Sequence, residues 1–550
     1  MKREIKLISD FNFELFYNFL SNQIDDNSYK ILKPSYELFS SSCYKIINSN
    51  SKTHAIIAWS RIEKILKEFS NLIEHKEFSH NKLNKELDDY IGLILKLSEK
   101  TEHLVVTSWH LPLMEKGYYL KDLTNNLGIS RNLNIINTKL AEELSKKSNI
   151  NFFNIDFLLR QNQSPFNPKL WYATKVPYNN KLFEIAANDF KQIIYSFTTP
   201  AKKLLILDLD NTLWGGIIGE TGWKKINIGG HNYLGEAFQD FQIKIKALKN
   251  KGIQLAIISK NEEKVALEAF KKNKEMILKI NDFVTWRINW EDKAKNLSEI
   301  LEELNLNSDS CVFLDDNINE RNRIRTSFPE VLVPELPSDP SYYTEELQKL
   351  NCFNINQVTK EDLLRTKYYK DELKRKKQKK RFISHNDWLK SLKIKVNVEK
   401  INNENKTRVL QLINKTNQMN LTTRRLSETE LDKLIKDKKT ELKAFRLSDK
   451  LGDMGLVGIY TVKYNKKVAL VVDFILSCRA FGRSIENLMV YNICKEAKKN
   501  NSRKIIFKYL KTNKNKPCLD FLNSLNFNDK RNNIFCYKDK FKIIKPKHLN

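Results

Sequence analysis

No stretch of about 18 apolar residues occurs anywhere in the 550-residue sequence, so nothing in it is long and apolar enough to span a bilayer as a helix, and a soluble protein is expected. The N-terminus, MKREIKLISDFNF, lacks the apolar segment and small-residue cleavage site of a secretory signal. A cytoplasmic location is therefore expected, with no membrane partner. Cysteine pairs at metal or redox spacing are missing too. The seven cysteines, at 43, 311, 352, 478, 494, 518 and 536, are odd in number and include no C-x-x-C. That excludes a disulfide framework and a cysteine zinc site, and it fits reduced thiols.

Acidic charge is in deficit, with 66 Asp+Glu against 95 Lys+Arg and a net charge of +29. Such an excess ordinarily points to nucleic acid. No recognition motif with interleaved aromatics accompanies it, and Lys and Asn are abundant throughout, as an AT-rich coding bias would produce; nucleic acid is not expected as a partner. The densest run, KRKKQKKR at 374–381, lies in a helical-looking stretch between two apolar blocks. It reads as a solvated linker face, with docking of an acidic protein such as an acyl carrier as the alternative.

A chain of this length exceeds what one hydrophobic core accommodates, and the pattern divides it into three domains and a linker. In residues 1–198, β-rich runs at 4–8, 54–59, 103–109 and 151–155 alternate with long helical stretches, the rhythm of a parallel sheet with helices on its faces. Residues 199–345 form a second α/β unit, with strands in KKLLILDLD, in QLAIIS at 254–259 and in SCVFLDD at 310–316. The prolines of VLVPELPSDPS end it, and a basic helical linker covers 346–385. Residues 386–550 read as mixed α+β. A helix at 405–415 is followed by strands near 441–447, 455–463 and 467–475, a helix after Arg483, a strand at 503–508 and a last helix at 516–524. There is no internal repeat.

The chemistry concentrates at LLILDLDNTLWGG, 204–216. Asp208 and Asp210 stand two apart at the end of a buried strand, so both side chains lie on the same side of the chain, where a doubly wound sheet binds ligands. One carboxylate is placed to attack phosphorus, and the next to move protons on leaving and attacking groups. Thr212 completes D-x-D-x-T. An anionic nucleophile cannot approach a phosphate dianion without cations, so a metal and a fixed positive charge must follow. Ser259 ends the next strand and suits a phosphate oxygen; Lys293 follows; Asp315 and Asp316 end a third strand with oxygen ligands suited to Mg²⁺. Asp315 is favoured as the ligand, with Asp316 as a second ligand or its support; Asp208 and Asp210 are included in the metal set. Only 51 positions separate Asp208 from Ser259, and 34 separate Ser259 from Lys293, so no cap domain fits. A site without a cap must exclude water through a neighbouring domain or a large partner.

DLDNTLWGGIIGETG (208–222), SKN (259–261), W-x-x-K (290–293), FLDDNINER (313–321) and VLVPELPSDP (331–340) resemble the FkbH-like proteins, a capless branch of the haloacid-dehalogenase (HAD) superfamily. KTNQMNLTTRR (415–425), DKLGDMGLVG (449–458), LSCRAFGRSIE (476–486) and FLNSLNF (521–527) look like the acyltransferase domain that closes those proteins. The resemblance implies a small phosphorylated metabolite, 1,3-bisphosphoglycerate, whose glyceryl unit is delivered as a thioester to an acyl carrier protein. By motif position it makes Asp208 the nucleophile, Asp210 the acid/base, Thr212 and Ser259 phosphate contacts, Lys293 the charge clamp and Asp315 the Mg²⁺ ligand. Asn261, Asn317 and Glu320 belong to the same pattern, as groups orienting substrate or the Asp pair.

The C-terminal region resembles the GNAT acyltransferases. Arg479, Gly482, Arg483 and Ser484 match their R-x-x-G-x-G/A loop, except that Ser replaces the last small residue. The resemblance makes this loop a site for the pyrophosphate of coenzyme A or of phosphopantetheine at a helix N-terminus. Cys478 precedes the loop and reads either as an acyl-carrying thiol or as a buried small hydrophobe. The N-terminal region resembles, more faintly, an SGNH-hydrolase domain of flavodoxin type. Its Ser9-Asp10 lacks the preceding glycine, and no histidine occurs between His110 and His231, so a scaffold or docking surface that closes over the site is expected rather than an esterase. An alternative of another class is a plain phosphatase fused to an independent N-acetyltransferase using acetyl-CoA.

Overall fold

Four buried runs near the N-terminus set the first sheet. In the computed structural model β1 (Arg3–Ser9), β3 (Thr53–Trp59), β4 (Thr101–Thr107) and β5 (Ile150–Phe153) follow the apolar runs of the sequence, and a three-residue strand, β2 (Tyr29–Ile31), joins them. The structure describes all residues except 1, 26, 36, 113–114, 116, 163, 199–201, 231, 354–362, 380, 532, 539–543, 547 and 550. All pairings in this sheet are parallel, in the order β2-β1-β3-β4-β5. That is the doubly wound, flavodoxin-type order, and its strand order reverses between β1 and β3. Because each strand is covered on both faces, its sequence reads as a continuous apolar run. Helices His80–Ser98 and Ile129–Leu144 pack on one face around Trp109, and Glu14–Gln23 and Asn180–Ser196 on the other around Trp59.

The chain divides into two compact units: Met1–Thr199 with Arg425–Leu434, and Pro200–Arg424 with Ile435–Asn550. Within the first, the Ser427 hydroxyl donates to the Lys146 carbonyl at 2.8 Å, so a short piece of the C-terminal third belongs to the N-terminal core. Among the described residues no helix is long and apolar enough to cross a membrane.

The second unit holds two sheets. β6 (Leu204–Leu207), β7 (Gln254–Ser259), β8 (Phe283–Ile288) and β9 (Cys311–Leu314) pair in parallel in the order β8-β7-β6-β9. β8, an edge strand, is absent from the sequence reading. Thr285 and Arg287 interrupt it, and Trp286 and Arg287 are only half-buried, so it lacks the continuous apolar run of its neighbours. Between β6 and β7 the described residues form only helices Ile218–Thr221 and Tyr233–Asn250; helices Glu263–Lys272 and Lys293–Leu304 fill the next two crossovers. No inserted sheet or domain lies among the described residues of these crossovers.

The second sheet runs β10 (Lys395–Glu399), β12 (Thr440–Asp449), β13 (Gly452–Asn465), β14 (Val468–Leu476), β15 (Lys504–Lys508), β17 (Ile534–Lys538) and β16 (Asp529–Arg531). Among the described residues only β14 and β15 of this sheet pair in parallel, connected by helix Ile485–Lys499. They pair over 468–471 with 504–507; further along, the short β11 (Met419–Asn420) pairs with Ile475 and Leu476 of β14.

The basic run is exposed at Lys374, Lys377, Lys379 and Arg381, the solvated face expected of it, but it is more than a linker. Helix Arg365–Lys379 packs against both sheets of this unit. Arg375 is 1% exposed, and its guanidinium donates to both oxygens of Asp449 at 2.7 and 2.9 Å. Lys376 donates to the Glu303 carbonyl at 2.7 Å and Lys370 to the Asn281 carbonyl at 3.1 Å. A buried guanidinium needs a paired carboxylate, and the partner lies 74 residues away in sequence.

Candidate active site

β6 is apolar on every side chain and fully buried, so the first polar residue beyond it, Asp208, emerges at the C-terminal edge of the sheet. β9 does the same for Asp315 and Asp316. Lys293 arrives by a different route. It opens helix Lys293–Leu304, whose N-cap Asp292 accepts from the amides of Ala294 and Lys295 at 2.8 and 3.1 Å. Ala294, Leu297, Ile300, Leu301 and Leu304 bury one face of that helix. Cap and stripe together fix the rotation that turns Lys293 inward.

The Lys293 ammonium lies 2.6 Å from Asp315 Oδ2 and 3.1 Å from Asp208 Oδ2, and its side chain is 3% exposed. Asp208, Asp315 and Asp316 each offer an oxygen within 4.8 Å of the others. Burial works against the lysine's charge, but the charges of Asp208 and Asp315 outweigh it, and its pKa lies above the ordinary value. Burial first, then the charge of Asp208, pushes Asp315 up to about 7 against the pull of Lys293. Asp316 is raised by the same two causes. Three carboxylates and one ammonium leave the cluster short of positive charge. Asp208 Oδ1 is buried with no hydrogen-bond partner. A buried carboxylate oxygen without a donor is disfavoured unless a cation meets it, and an all-oxygen set fits Mg²⁺.

The remaining residues of the sequence reading divide between the reacting groups and their supports. The Asp210 carboxylate stands outside the three-acid cluster. Its Oδ1 accepts from Trp214 Nε1 at 2.9 Å and from the Ile218 amide at 3.1 Å, and its Oδ2 accepts from Asn261 Nδ2 at 2.9 Å. These three bonds hold its side chain apart from the cluster of Asp208, Asp315 and Asp316, where the sequence reading had included it among the metal ligands. Asn261 also donates to Ser259 Oγ at 3.2 Å, and both are buried. Thr212 is fully buried; its hydroxyl donates to Asp316 Oδ1 at 3.3 Å and accepts from the Asp316 amide at 3.2 Å. It positions the acid pair and is not free to contact phosphate, a correction to the expectation. Asn317 is exposed and caps helix Ile318–Ser327, with its amide bonded to Asp315 Oδ1 at 2.9 Å. Glu320 accepts from Lys260 at 2.5 Å.

Two supports went unassigned in the sequence. Arg321 donates to the carbonyls of Asp315 and Asp316 at 2.9 and 2.7 Å, clamping the acid pair from behind, and the Trp214 indole holds Asp210. Both lie inside the quoted motifs; their place near the acids was the available signal. An open groove of about 630 Å³ adjoins Asp316, lined among others by Asn211, Gly216, Lys225, Phe238, Arg321 and Tyr343. In it Gly216 adopts φ +91°, with no atom near the place of a side chain.

At the second candidate, Cys478 is exposed in a short turn, which overturns its reading as a buried hydrophobe. Gly482 adopts φ +71° and Ser484 φ +59°, so the loop turns sharply into helix Ile485–Lys499. Arg483 does not face a ligand, contrary to expectation. It is 2% exposed, and its guanidinium donates to Glu372 Oε1 and Oε2 at 2.9 and 2.7 Å and to the Arg479 carbonyl at 2.6 Å. Arg479 lies over the Tyr368 ring at 4.8 Å. Helix Arg365–Lys379 therefore anchors this loop through Glu372.

At the end of β1 the Ser9 hydroxyl donates to the Phe11 carbonyl at 2.6 Å, and the Asp10 carboxylate is held by Arg61. His110 is engaged at both nitrogens, by the Leu111 carbonyl at 2.5 Å and the Tyr178 hydroxyl at 2.6 Å. Among the described residues these contacts engage Ser9, Asp10 and His110 with other groups, and none pairs Ser9 with a base as a nucleophilic serine requires.

No protein-family model and no curated protein matches the sequence. Among solved structures, the chain is similar to the phosphatase-containing N-terminal part of the protein BF1531 from Bacteroides fragilis, crystallised with Mg. The match has 29% identity and a TM-score of 0.56, and covers 65% of this chain and 95% of that one. Two acetyltransferases also match over about a quarter of the chain. The ribosomal-protein-S18-alanine N-acetyltransferase of Escherichia coli has 8% identity, a TM-score of 0.21 and coverage of 27% and 96%; PaiA N-acetyltransferase of Thermoplasma acidophilum, in complex with coenzyme A, has 12%, 0.21, 26% and 98%. The first likeness and the carboxylate–lysine cluster together identify the chain as an enzyme.

Proposed function

We propose that the chain is a Mg²⁺-dependent, capless phosphoryl-transfer enzyme of the FkbH-like kind, which takes 1,3-bisphosphoglycerate or a related acyl phosphate and passes the acyl unit to the phosphopantetheine thiol of an acyl carrier protein. The observation that carries it is Asp208 Oδ1, buried and unpartnered beside Lys293, Asp315 and Asp316. The Mg-complexed phosphatase domain of the Bacteroides protein supports the same reading. Asp208, Asp315 and Asp316 would hold Mg²⁺, which supplies when bound the positive charge that lets a carboxylate approach a phosphate dianion.

A bisphosphorylated substrate that ends as an unphosphorylated thioester must lose its two phosphates by different bond cleavages. The phosphate ester is released by attack on phosphorus: Asp208 displaces the alkoxide, Asp210 gives it a proton, and water, deprotonated by Asp210, then frees the phosphate from Asp208. Attack on phosphorus at the acyl phosphate would leave a carboxylate and discard its activation. There a thiol must attack the acyl carbon and expel phosphate. Lys293 serves the first step by neutralising the reacting carboxylates; Trp214, Asn261 and the Ile218 amide hold Asp210 toward the proton it moves.

Exposed Cys478, next to Arg479, Gly482 and Ser484, is in this reading the chain's own acyl-accepting thiol or the neighbour of the carrier's thiol. The division into an SGNH-like domain at 1–198, a HAD domain at 199–345 and a GNAT-like domain at 386–550 belongs to the same proposal, as does a cytoplasmic setting.

The test is incubation of the full chain with Mg²⁺, 1,3-bisphosphoglycerate and holo carrier proteins from the same organism, with intact-mass measurement of each carrier. The expected product carries one glyceryl unit. A panel in which no carrier gains that mass, while acetyl-CoA acetylates an amine acceptor, would establish instead a phosphatase joined to an N-acetyltransferase.

A further inference from the structure

We propose a second cation site, in the N-terminal unit and independent of the function above: a Zn²⁺ site made by His54, Glu102 and His103. β3 and β4 pair in parallel with Thr53 opposite Thr101 and Ala55 opposite His103, so the three side chains sit at the entering ends of two adjacent strands. Each offers a ligand atom, and all three atoms lie within 4.8 Å of one another. His54 Nδ1 is 2.8 Å from Glu102 Oε2, and the two imidazole rings stand 5.3 Å apart at 77°. His103 is stacked on Phe197 at 4.0 Å and 4°, which fixes the plane of its ring.

The His54 ring is enclosed on the side away from Glu102. The His54 side chain is 8% exposed, yet its Nε2 is buried with no hydrogen-bond partner. Tyr29 lies beside it, but the Tyr29 hydroxyl is bonded to Thr198 Oγ1 at 3.0 Å. The nitrogen that faces Glu102 is Nδ1, so a cation in the cluster would meet Nδ1 and take the place of the His54–Glu102 hydrogen bond.

The donor set selects the metal. Two imidazoles and one carboxylate suit Zn²⁺, with bonds of about 2.0–2.2 Å and water in a fourth position, whereas Mg²⁺ and Ca²⁺ take oxygen sets. Ligand atoms around such an ion stand about 3.3 Å apart in a tetrahedron, closer than the cluster's outer limit. Glu102, with its side chain 59% exposed, is the arm free to close the remaining distance. Bound there, Zn²⁺ ties β3 to β4 in the middle of the sheet beneath Phe197, at the end of the sheet opposite Ser9 and Asp10.

The experiment uses the full chain, metal-stripped, with Cys478→Ser to remove the exposed thiol and excess Mg²⁺ to occupy the Asp208 cluster. Equilibrium dialysis against micromolar Zn²⁺ is expected to give one Zn²⁺ per chain. His103→Asn should abolish that ion, and Glu102→Gln, at an exposed position that does not threaten the fold, should weaken it about tenfold or more. Zn²⁺ should raise the thermal midpoint of the parent and leave that of His103→Asn unchanged. Equal Zn²⁺ uptake by the parent and both variants, or none by the parent, would overturn the proposal.

Discussion

Asp10 and Asp208 hold corresponding places in two different parallel sheets. Each is the first residue beyond a buried strand, and their side chains are 7% and 10% exposed. Burial does not separate them; partners do. Asp10 Oδ1 accepts from the Arg61 amide at 2.9 Å and Oδ2 from Arg61 Nε at 3.0 Å, and Arg61 in turn stacks on Trp171 at 4.2 Å. Asp208 shares one lysine with a second carboxylate and leaves an oxygen bare. A buried acid whose bonds close within the protein holds a fold together, and one whose bonds remain open is ready for a ligand.

The largest effect should come from the open acid. Asp208→Asn is expected to reduce phosphate release by about 10⁴-fold or more, because the carboxylate that the proposed mechanism uses for attack is lost while size and packing are kept. Asp10→Asn should leave phosphate release within about twofold. Equal losses in a phosphate-release assay would erase the contrast. Next comes the closed acid: Asp10→Ala removes the carboxylate that takes two bonds from Arg61, leaves the buried guanidinium with Glu63 at 3.3 Å, and should destabilise the N-terminal unit by about 3 kcal/mol in urea unfolding. Lys293→Met should lower turnover by about 10²–10³-fold, the range for losing one fixed charge at a reacting centre, with most of the loss in kcat.

The smallest effect is a pH dependence of the N-terminal unit. Burial holds the His110 pKa below its ordinary 6.5 in the folded chain. The unfolded chain then binds the proton more readily, so the stability His110 contributes is complete above pH 6.5 and is lost as the pH falls below it, by at most about 1.4 kcal/mol per unit. His110→Gln should flatten that slope, read from urea midpoints at pH 7.5 and 5.5.

Much of this molecule was legible because both parallel sheets are covered on both faces, which writes their central strands as unbroken apolar runs such as LLIL and QLAIIS. Strands without such a run carry no such signature: Tyr29–Ile31, Phe283–Ile288 and Lys395–Glu399 passed unread. At the site, Asp208, Lys293, Asp315 and Asp316 were legible from order and spacing, since strand ends of a doubly wound sheet converge. Thr212 and Arg483 were misread for one reason. A hydroxyl or guanidinium near a candidate site is a ligand contact only if nothing else takes its bonds, and Asp316 and Glu372 do so at 104 and 111 residues' remove.

The strand and turn around Asp208 illustrate the boundary. By itself the sequence determined which chemistry was available: a strand too apolar to be anywhere but buried, acids forced to its end, a capped helix presenting a lysine, and crossovers too short to contain a cap. Those are local consequences of hydrophobic period, capping and chain length. Only the tertiary structure decided which of those groups are spent and which remain open, because hydrogen bonds and charge pairs close between residues that are distant in the chain.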